Sequence, residues 1–264
     1  MPTITRKSRA EIARMRSAGR IVAEVLALVE EELRPGISTA ELDRLAERHI
    51  RASNGVPSFL NYLGGRRYDP RDPHAYPAST CISLDSEIVH GIPGDREIRP
   101  GQIVSVDVGV IYDGWHGDGA RSFICGGEAA GTPEAVALVG ATRLALMAGI
   151  AAALPGNRIG HISAAVEDVA SAGGFGIVRQ YVGHGIGTAM HEDPQVPNFR
   201  SRSNGIELAP GICLAIEPML TLGSEATDTL ADNWTVVTHD GSLAAHFEHT
   251  IAVTANGPEI LTTV

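Results

Sequence analysis

Pro100-Gly101-Gln102-Ile103-Val104-Ser105-Val106-Asp107 and Pro210-Gly211-Ile212-Cys213-Leu214-Ala215-Ile216-Glu217 share one pattern. Each begins Pro-Gly, alternates large apolar with small residues, and places a carboxylate seven residues after the proline. Such alternation predicts strands. Side chains at i and i+2 of a strand share a face. Asp107 is therefore expected beside Ser105, and Glu217 beside Ala215 and Cys213, with the bulky residues turned the other way. A second echo follows each strand. His116-Gly117-Asp118 precedes Gly-Ala-Arg-Ser-Phe-Ile, and His246-Phe247-Glu248 precedes His-Thr-Ile-Ala-Val. Each half of the chain thus supplies two carboxylates, the second in a His-x-acid triplet at the start of a β run.

Helical patterns precede both echoes. Ser8-Arg9-Ala10-Glu11 and Ser38-Thr39-Ala40-Glu41 read as capping boxes. They predict helices to about Leu33, before Arg34-Pro35-Gly36, and to about Ala52. Thr132-Pro133-Glu134 places a cap before a proline at the first helical position. That helix should run to about Ala153. A fourth should cover about Ile159 to Ala172 and stop at Gly173-Gly174. Two helices and a β segment, repeated, predict an internal duplication whose halves face one another. The expected boundaries are one domain over 1–264, with halves of about 8–130 and 131–264. Asn61 to Pro73, rich in Gly-Gly, Arg-Arg and Asp-Pro, reads as a long exposed loop.

Composition narrows the class. With 264 residues, 44% of them hydrophobic and 20% charged, the chain has ample material for a core. No uninterrupted apolar run reaches the ~18 residues of a membrane span; Ile21 to Val29, for instance, is broken by Glu24. The N-terminal stretch carries Arg and Glu throughout, unlike a secretory signal. Three scattered cysteines, Cys81, Cys125 and Cys213, suit a reducing cytoplasm better than a disulfide framework. A net charge of −10 disfavours a nucleic-acid partner. Lys7 is the only lysine among 21 basic side chains.

An ionised carboxylate on an apolar strand costs several kcal/mol unless paired or metal-bound. Arg121 is the only obvious cationic partner near the first echo. If the halves face one another, Asp107, Asp118, Glu217 and Glu248 converge, and four like charges call for cations between them. Two divalent ions balance four carboxylates. Hard oxygen donors with one or two imidazoles suit Mn, Fe, Co, Zn or Mg. The surplus of carboxylates argues against a 2-His-1-carboxylate iron oxygenase. His184, in Gly183-His184-Gly185-Ile186-Gly187, has glycines that free its backbone for tight geometry. His191 and His90 are further candidates. His49, His161 and His239 read as surface residues, and His74 as part of the loop. His116, His246 and His249 read as partners that orient carboxylates.

These residues resemble the type I methionine aminopeptidases of the pita-bread fold. The motifs are Cys81-Ile82-Ser83, His90-Gly91-Ile92-Pro93, Ser105-Val106-Asp107, Asp113-Gly114-Trp115-His116-Gly117-Asp118 and Gly183-His184-Gly185-Ile186-Gly187. His191-Glu192-Asp193-Pro194, Ile216-Glu217-Pro218-Met219 and Phe247-Glu248-His249-Thr250 follow in the family's order. The resemblance implies an α/β (α+β) fold of two pseudo-symmetric halves, with antiparallel sheet covered by helices. It implies five metal ligands: Asp107, Asp118, His184, Glu217 and Glu248. Asp118 and Glu248 would bridge two divalent ions (Co, Mn, Fe, Zn or Ni), Asp107 completing one, and His184 and Glu217 the other. Glu217 would be general base, His191 the oxyanion donor, and His90 a contact of the scissile amide. Cys81, Tyr76 and Trp234 would line the methionine pocket, with Met190 where the family often has an aromatic. The pocket aromatic near the expected insertion at 61–73 is either Tyr62 or missing. The implied substrate is the initiator methionine of nascent polypeptides with a small second residue, met at the ribosome exit. The implied enzyme is a cytoplasmic monomer with no nucleic-acid or membrane partner. Two alternatives share the fold. A proline-directed peptidase, of the aminopeptidase P or prolidase kind, usually has an added N-terminal domain. A non-catalytic binding protein normally lacks ligands that are all present here.

Overall fold

The computed structural model describes residues 4–63 and 74–264. Helix starts follow from their caps. Ser8 and Ser38 each accept from the backbone at N3, while Glu11 and Glu41 reach back to the cap, opening α1 (Arg9–Glu32) and α2 (Thr39–Ala52). These contacts satisfy donors that a helix N-terminus leaves unpaired. Thr132 caps α3 (Pro133–Ala152), which has Pro133 at its start. The next helix, α4 (Ile159–Gly173), ends at Gly174, whose φ of 72° takes the left-handed turn.

In the first half, β1 (Cys81–Leu84) and β2 (Glu87–Val89) precede a long hairpin of β3 (Ile103–Tyr112) and β4 (Trp115–Ile124). Its turn is Asp113-Gly114, with φ of 50° and 77°. Positive φ at both positions suits the twist of a two-residue hairpin. Pairing runs from Ile103↔Ile124 to Tyr112↔Trp115. On the other edge of β3, Cys81 stands opposite Asp107.

The second half contributes β5 (Gly183–Gly185), β6 (Glu192–Val196), β7 (Cys213–Ile216), β8 (Met219–Thr221), β9 (Ala244–His246), β10 (His249–Thr254) and β11 (Gly257–Ile260). Five of these form one sheet in the order β11-β10-β7-β5-β6, while β8 pairs with β9. Glu248 lies in the break between β9 and β10 rather than inside a strand.

Helices cover the bulky faces, as the alternation predicts. Val104, Val106, Val108 and Val110 of β3 pack with Val22, Val25, Leu26 and Val29 of α1. Ile212, Leu214 and Ile216 pack with Leu146 and Ile150 of α3 and with Ile159 and Ile162 of α4. Each such side chain contributes roughly 1.5–3 kcal/mol on burial. By length and composition α3 is apolar enough to cross a membrane, with mean hydropathy 1.8. Here it lies against α4 and sends Leu138, Ala145, Leu146 and Ile150 into the core.

The small faces meet at a seam between the halves. Ala120 and Glu248 exchange backbone hydrogen bonds of 3.3 and 2.8 Å. The Asp118 N–H donates to the Thr250 hydroxyl (2.9 Å), which donates back to the Asp118 carbonyl (2.8 Å). The Ser122 hydroxyl donates to the His246 carbonyl and accepts from the His246 N–H. This seam sets Asp118 beside Glu248.

Candidate active site

Register explains how the carboxylates meet. Asp107 pairs with Ala120, two residues from Asp118 on the same face of β4, so the two acids are diagonal neighbours. In the second sheet Ala215 lies between Thr250 and His184. Glu217, two residues further on, shares its face. The Nε2 of His184 is 3.5 Å from Glu217 Oε1 and 3.8 Å from Asp118 Oδ2. Ligand atoms of Asp118, His184 and Glu248 all lie within 4.8 Å of one another. All five residues expected as ligands are therefore gathered at the seam, with Asp107 and Glu217 flanking the tighter three.

The electrostatics are those of a cation site. Burial first, and neighbouring negative charge second, push Asp118 and Glu248 well above the ordinary carboxylate range. Burial and then the charge of Asp107 do the same to Glu217. Burial lifts Asp107 to about 7, partly opposed by hydrogen bonds from Asp118 and the Val108 backbone. Asp107 Oδ1, Asp118 Oδ1 and Glu248 Oε1 are buried without a hydrogen-bond partner. Such orphaned acceptors are costly unless something positive reaches them. His184 is the complementary donor. Burial lowers its pKa to about 3, and its Nδ1 donates to the Gly185 carbonyl at 2.9 Å, leaving the Nε2 lone pair for the cluster. One neutral imidazole with four oxygen donors fits a hard or borderline divalent ion.

The glycines around His184 serve a different purpose from the one expected. None of the three has positive φ. A Cβ on Gly183 would stand 2.4 Å from the Ala215 carbonyl oxygen, and one on Gly185 2.2 Å from that of Asp193. They are glycines because neighbouring strands press against them. Arg121 is no partner of the carboxylates either. It lies on the other face of β4 and pairs with Glu30 at 2.8 Å. His116 bonds Ser58 (3.0 Å) and His249 bonds Thr262 (2.7 Å) through Nδ1, bonds that reach hydroxyls rather than acids. His246 does approach one, its buried Nε2 lying 4.0 Å from Glu217 Oε2. His49, His161 and His239 serve locally, bonded to Glu24, the Arg158 N–H and Asp228.

Beside the carboxylates, through Cys81 opposite Asp107, is an apolar cluster. Phe59, Tyr76, Ala78, Cys81 and Met190 pack with Tyr62, Ile92 and Trp234. The three expected pocket residues, Cys81, Tyr76 and Trp234, are all here. Tyr62 joins them, whereas Phe59 and Ala78 had no motif to reveal them. The Tyr76 hydroxyl donates to the Thr80 and Gly91 carbonyls, and Trp234 Nε1 donates to the His74 carbonyl. His90 has a left-handed φ of 60° at the end of β2, and its ring stands edge-on to Tyr181 and Trp234. Burial, then the nearby His191, lowers its pKa to about 4. The His191 ring lies 4.3 Å from that of His184 and keeps an exposed edge. The expected loop from Asn61 to Pro73 lies outside the described residues from 64 onward. Its base is joined by backbone hydrogen bonds between Asn61, Tyr62 and Tyr76.

The sole lysine has a place in this site. Lys7 is buried, and its Nζ donates to Glu192 Oε2 at 2.7 Å and to the Thr5 hydroxyl. Glu192 Oε1 accepts from the Ala189 N–H, which braces the turn carrying His191. Lys7→Met leaves a largely buried carboxylate unpaired and is expected to destabilise the fold by about 3 kcal/mol. Thermal denaturation should show a melting temperature lower by roughly 6–12 °C; an unchanged transition would deny the pair a structural role.

The family model that matches the chain is that of metallopeptidase family M24, over residues 13–255. A methionine aminopeptidase of Clostridium acetobutylicum is 46% identical over 257 residues, 97% of each chain. A crystal structure of methionine aminopeptidase from Thermotoga maritima superposes with a TM-score of 0.92 at 38% identity, covering 99% of this chain and 100% of that one. A prolidase from Pyrococcus furiosus superposes with a TM-score of 0.72 at 20% identity, and this chain spans only 65% of it. That last likeness is of fold alone. Two facing halves of sheet and helix make the pita-bread architecture.

Proposed function

The chain belongs to metallopeptidase family M24, among its methionine aminopeptidases, and we propose on that premise that it removes the initiator methionine from nascent polypeptides whose second residue is small. The observation carrying this reading is the convergence of Asp107, Asp118, His184, Glu217 and Glu248 beside a cluster of apolar and aromatic side chains. In the proposed enzyme these five residues would hold two divalent ions (Co, Mn, Fe, Zn or Ni). What such a pair supplies is stabilisation of developing negative charge and a water of lowered pKa.

The chain's own groups do the rest. Glu217 takes the proton of the attacking water and delivers it to the leaving amine. His191 donates a hydrogen bond to the carbonyl oxygen as charge develops there, and His90 meets the scissile amide. Cys81, Tyr76 and Trp234, with Tyr62 and Met190, enclose an unbranched thioether. The free α-amine would lie against a metal at this site, which would confine cleavage to the first bond. We further propose a single domain over 1–264, with halves of about 8–130 and 131–264. It acts as a monomer in the cytoplasm at the ribosome exit, without nucleic-acid or membrane partners.

Hydrolysis of Met-Ala-Ser by metal-stripped protein, with Co²⁺ or Mn²⁺ restored, tests the reading. Free methionine is expected only with metal. Cleavage of Ala-Pro peptides in its place would transfer the chain to the proline-directed peptidases, which the comparisons do not favour.

A further inference from the structure

We propose that Tyr62 is a positioning residue whose hydroxyl donates to Nδ1 of His191 and so fixes the ring proton on Nε2, the nitrogen left to face the substrate. The inference rests on the reading of His191 as the donor to the substrate's carbonyl oxygen. The Tyr62 hydroxyl lies 2.6 Å from His191 Nδ1, with the two rings 5.5 Å apart. Among the described residues it is the only hydrogen-bond partner of that ring.

A neutral imidazole carries one donor nitrogen and one acceptor, and whichever bond one nitrogen makes decides the other. To donate from Nε2, His191 needs an acceptor's role at Nδ1, and a phenol hydrogen supplies it. His184 is set by the same logic in reverse, its Nδ1 donating to a carbonyl so that Nε2 stays bare. Tyr62 is itself fixed. Its N–H donates to the Phe59 carbonyl (2.8 Å) and its carbonyl accepts from the Tyr76 N–H (2.9 Å). The hydroxyl is thus held by backbone pairing at the base of the loop, while the ring packs in the apolar cluster with Tyr76 and Met190. The device therefore couples the floor of the methionine pocket to the hydrogen bond made at the carbonyl.

The test uses the Tyr62→Phe variant, which keeps the ring and removes only the hydroxyl. With Mn²⁺ restored, kcat on Met-Ala-Ser is expected to fall roughly 3- to 10-fold, the loss of one neutral hydrogen bond, with KM and bound metal unchanged. Nitrogen-15 NMR of the Zn²⁺-loaded protein should show His191 protonated on Nε2 in the parent and mixed tautomers in the variant. In a His191→Ala background, itself slowed by roughly 10²–10³, Tyr62→Phe should change nothing further. Unchanged kcat, a change in KM alone, an equal loss in the His191→Ala background or identical NMR spectra would each overturn the proposal while leaving His191 its role. Normal turnover by His191→Ala would overturn that role and the proposal with it.

Discussion

Asp118→Asn should strip the protein of its metal and of its activity together. Asp118 reaches His184 and Glu248 within the tightest part of the cluster and stands diagonal to Asp107. Asparagine keeps the shape and the seam's backbone bonds to Thr250 but removes the charge. Turnover of Met-Ala-Ser is expected to fall by about 10³ or more, the equivalent of several kcal/mol of lost charge stabilisation. Metal content after dialysis against Mn²⁺ should fall with it. The stability change runs the other way. Without metal, at the alkaline pH where the parent's buried acids lose their protons, the variant should melt above the parent, because one member of a mutually repelling buried set stays neutral. Full metal content and normal turnover would remove Asp118 from the reaction.

Metal removal should make the protein's stability fall as pH rises above neutrality. The folded pKa values of Asp107, Asp118, Glu217 and Glu248 are raised, Asp107 to about 7. A group raised on folding keeps its proton longer in the folded state. Its stabilising contribution is complete below about pH 4, the unfolded value, and is lost as pH climbs through the folded one. Buried histidines work oppositely. His184 and His246 are lowered to about 3, and His90, His116 and His249 to about 4, each chiefly by burial. They penalise folding below their unfolded value of about 6.5, and their rising contribution to the slope fades within about one pH unit above it. From about pH 7.5 to 8.5 the carboxylates therefore dominate the slope. Metal-free protein should show a falling melting temperature across this window. Saturating Mn²⁺ should flatten the slope and add about 2.7 kcal/mol at a hundred times Kd. A flat metal-free profile would mean the four acids are not held together as a charged set.

Much of this was legible in the sequence because the controlling interactions are local. Two capping boxes, a proline at a first helical position, helical patterns and i, i+2 alternation fix the four helices and the faces on which Asp107 and Glu217 lie, while the turn at Asp113-Gly114 emerges only in the structure. The paired echoes were enough to bring the halves' acids to one place. What escaped depends on contacts between distant segments. Phe59 and Ala78 join the apolar cluster where the backbone bonds Asn61 and Tyr62 to Tyr76. The reason for Gly183 and Gly185 lies in the carbonyls of Ala215 and Asp193, on neighbouring strands. Arg121 looked like a counter-ion by proximity in sequence, yet strand alternation carries it to the opposite face, toward Glu30.

The seclusion of Lys7 gives the molecule an unusual chemical surface. It is the one ε-amine in 264 residues, and it is closed behind Glu192. Every other basic side chain is a guanidinium or an imidazole, so the permanent surface cations keep their charge across the accessible pH range. Acylating reagents added to the folded protein meet no free ε-amine. Modification of Lys7 requires the segment around Thr5 to lift away from the turn that carries His191. The rate at which Lys7 acquires an acyl group therefore clocks the opening of that single clasp, a built-in reporter of local motion at the edge of the active site.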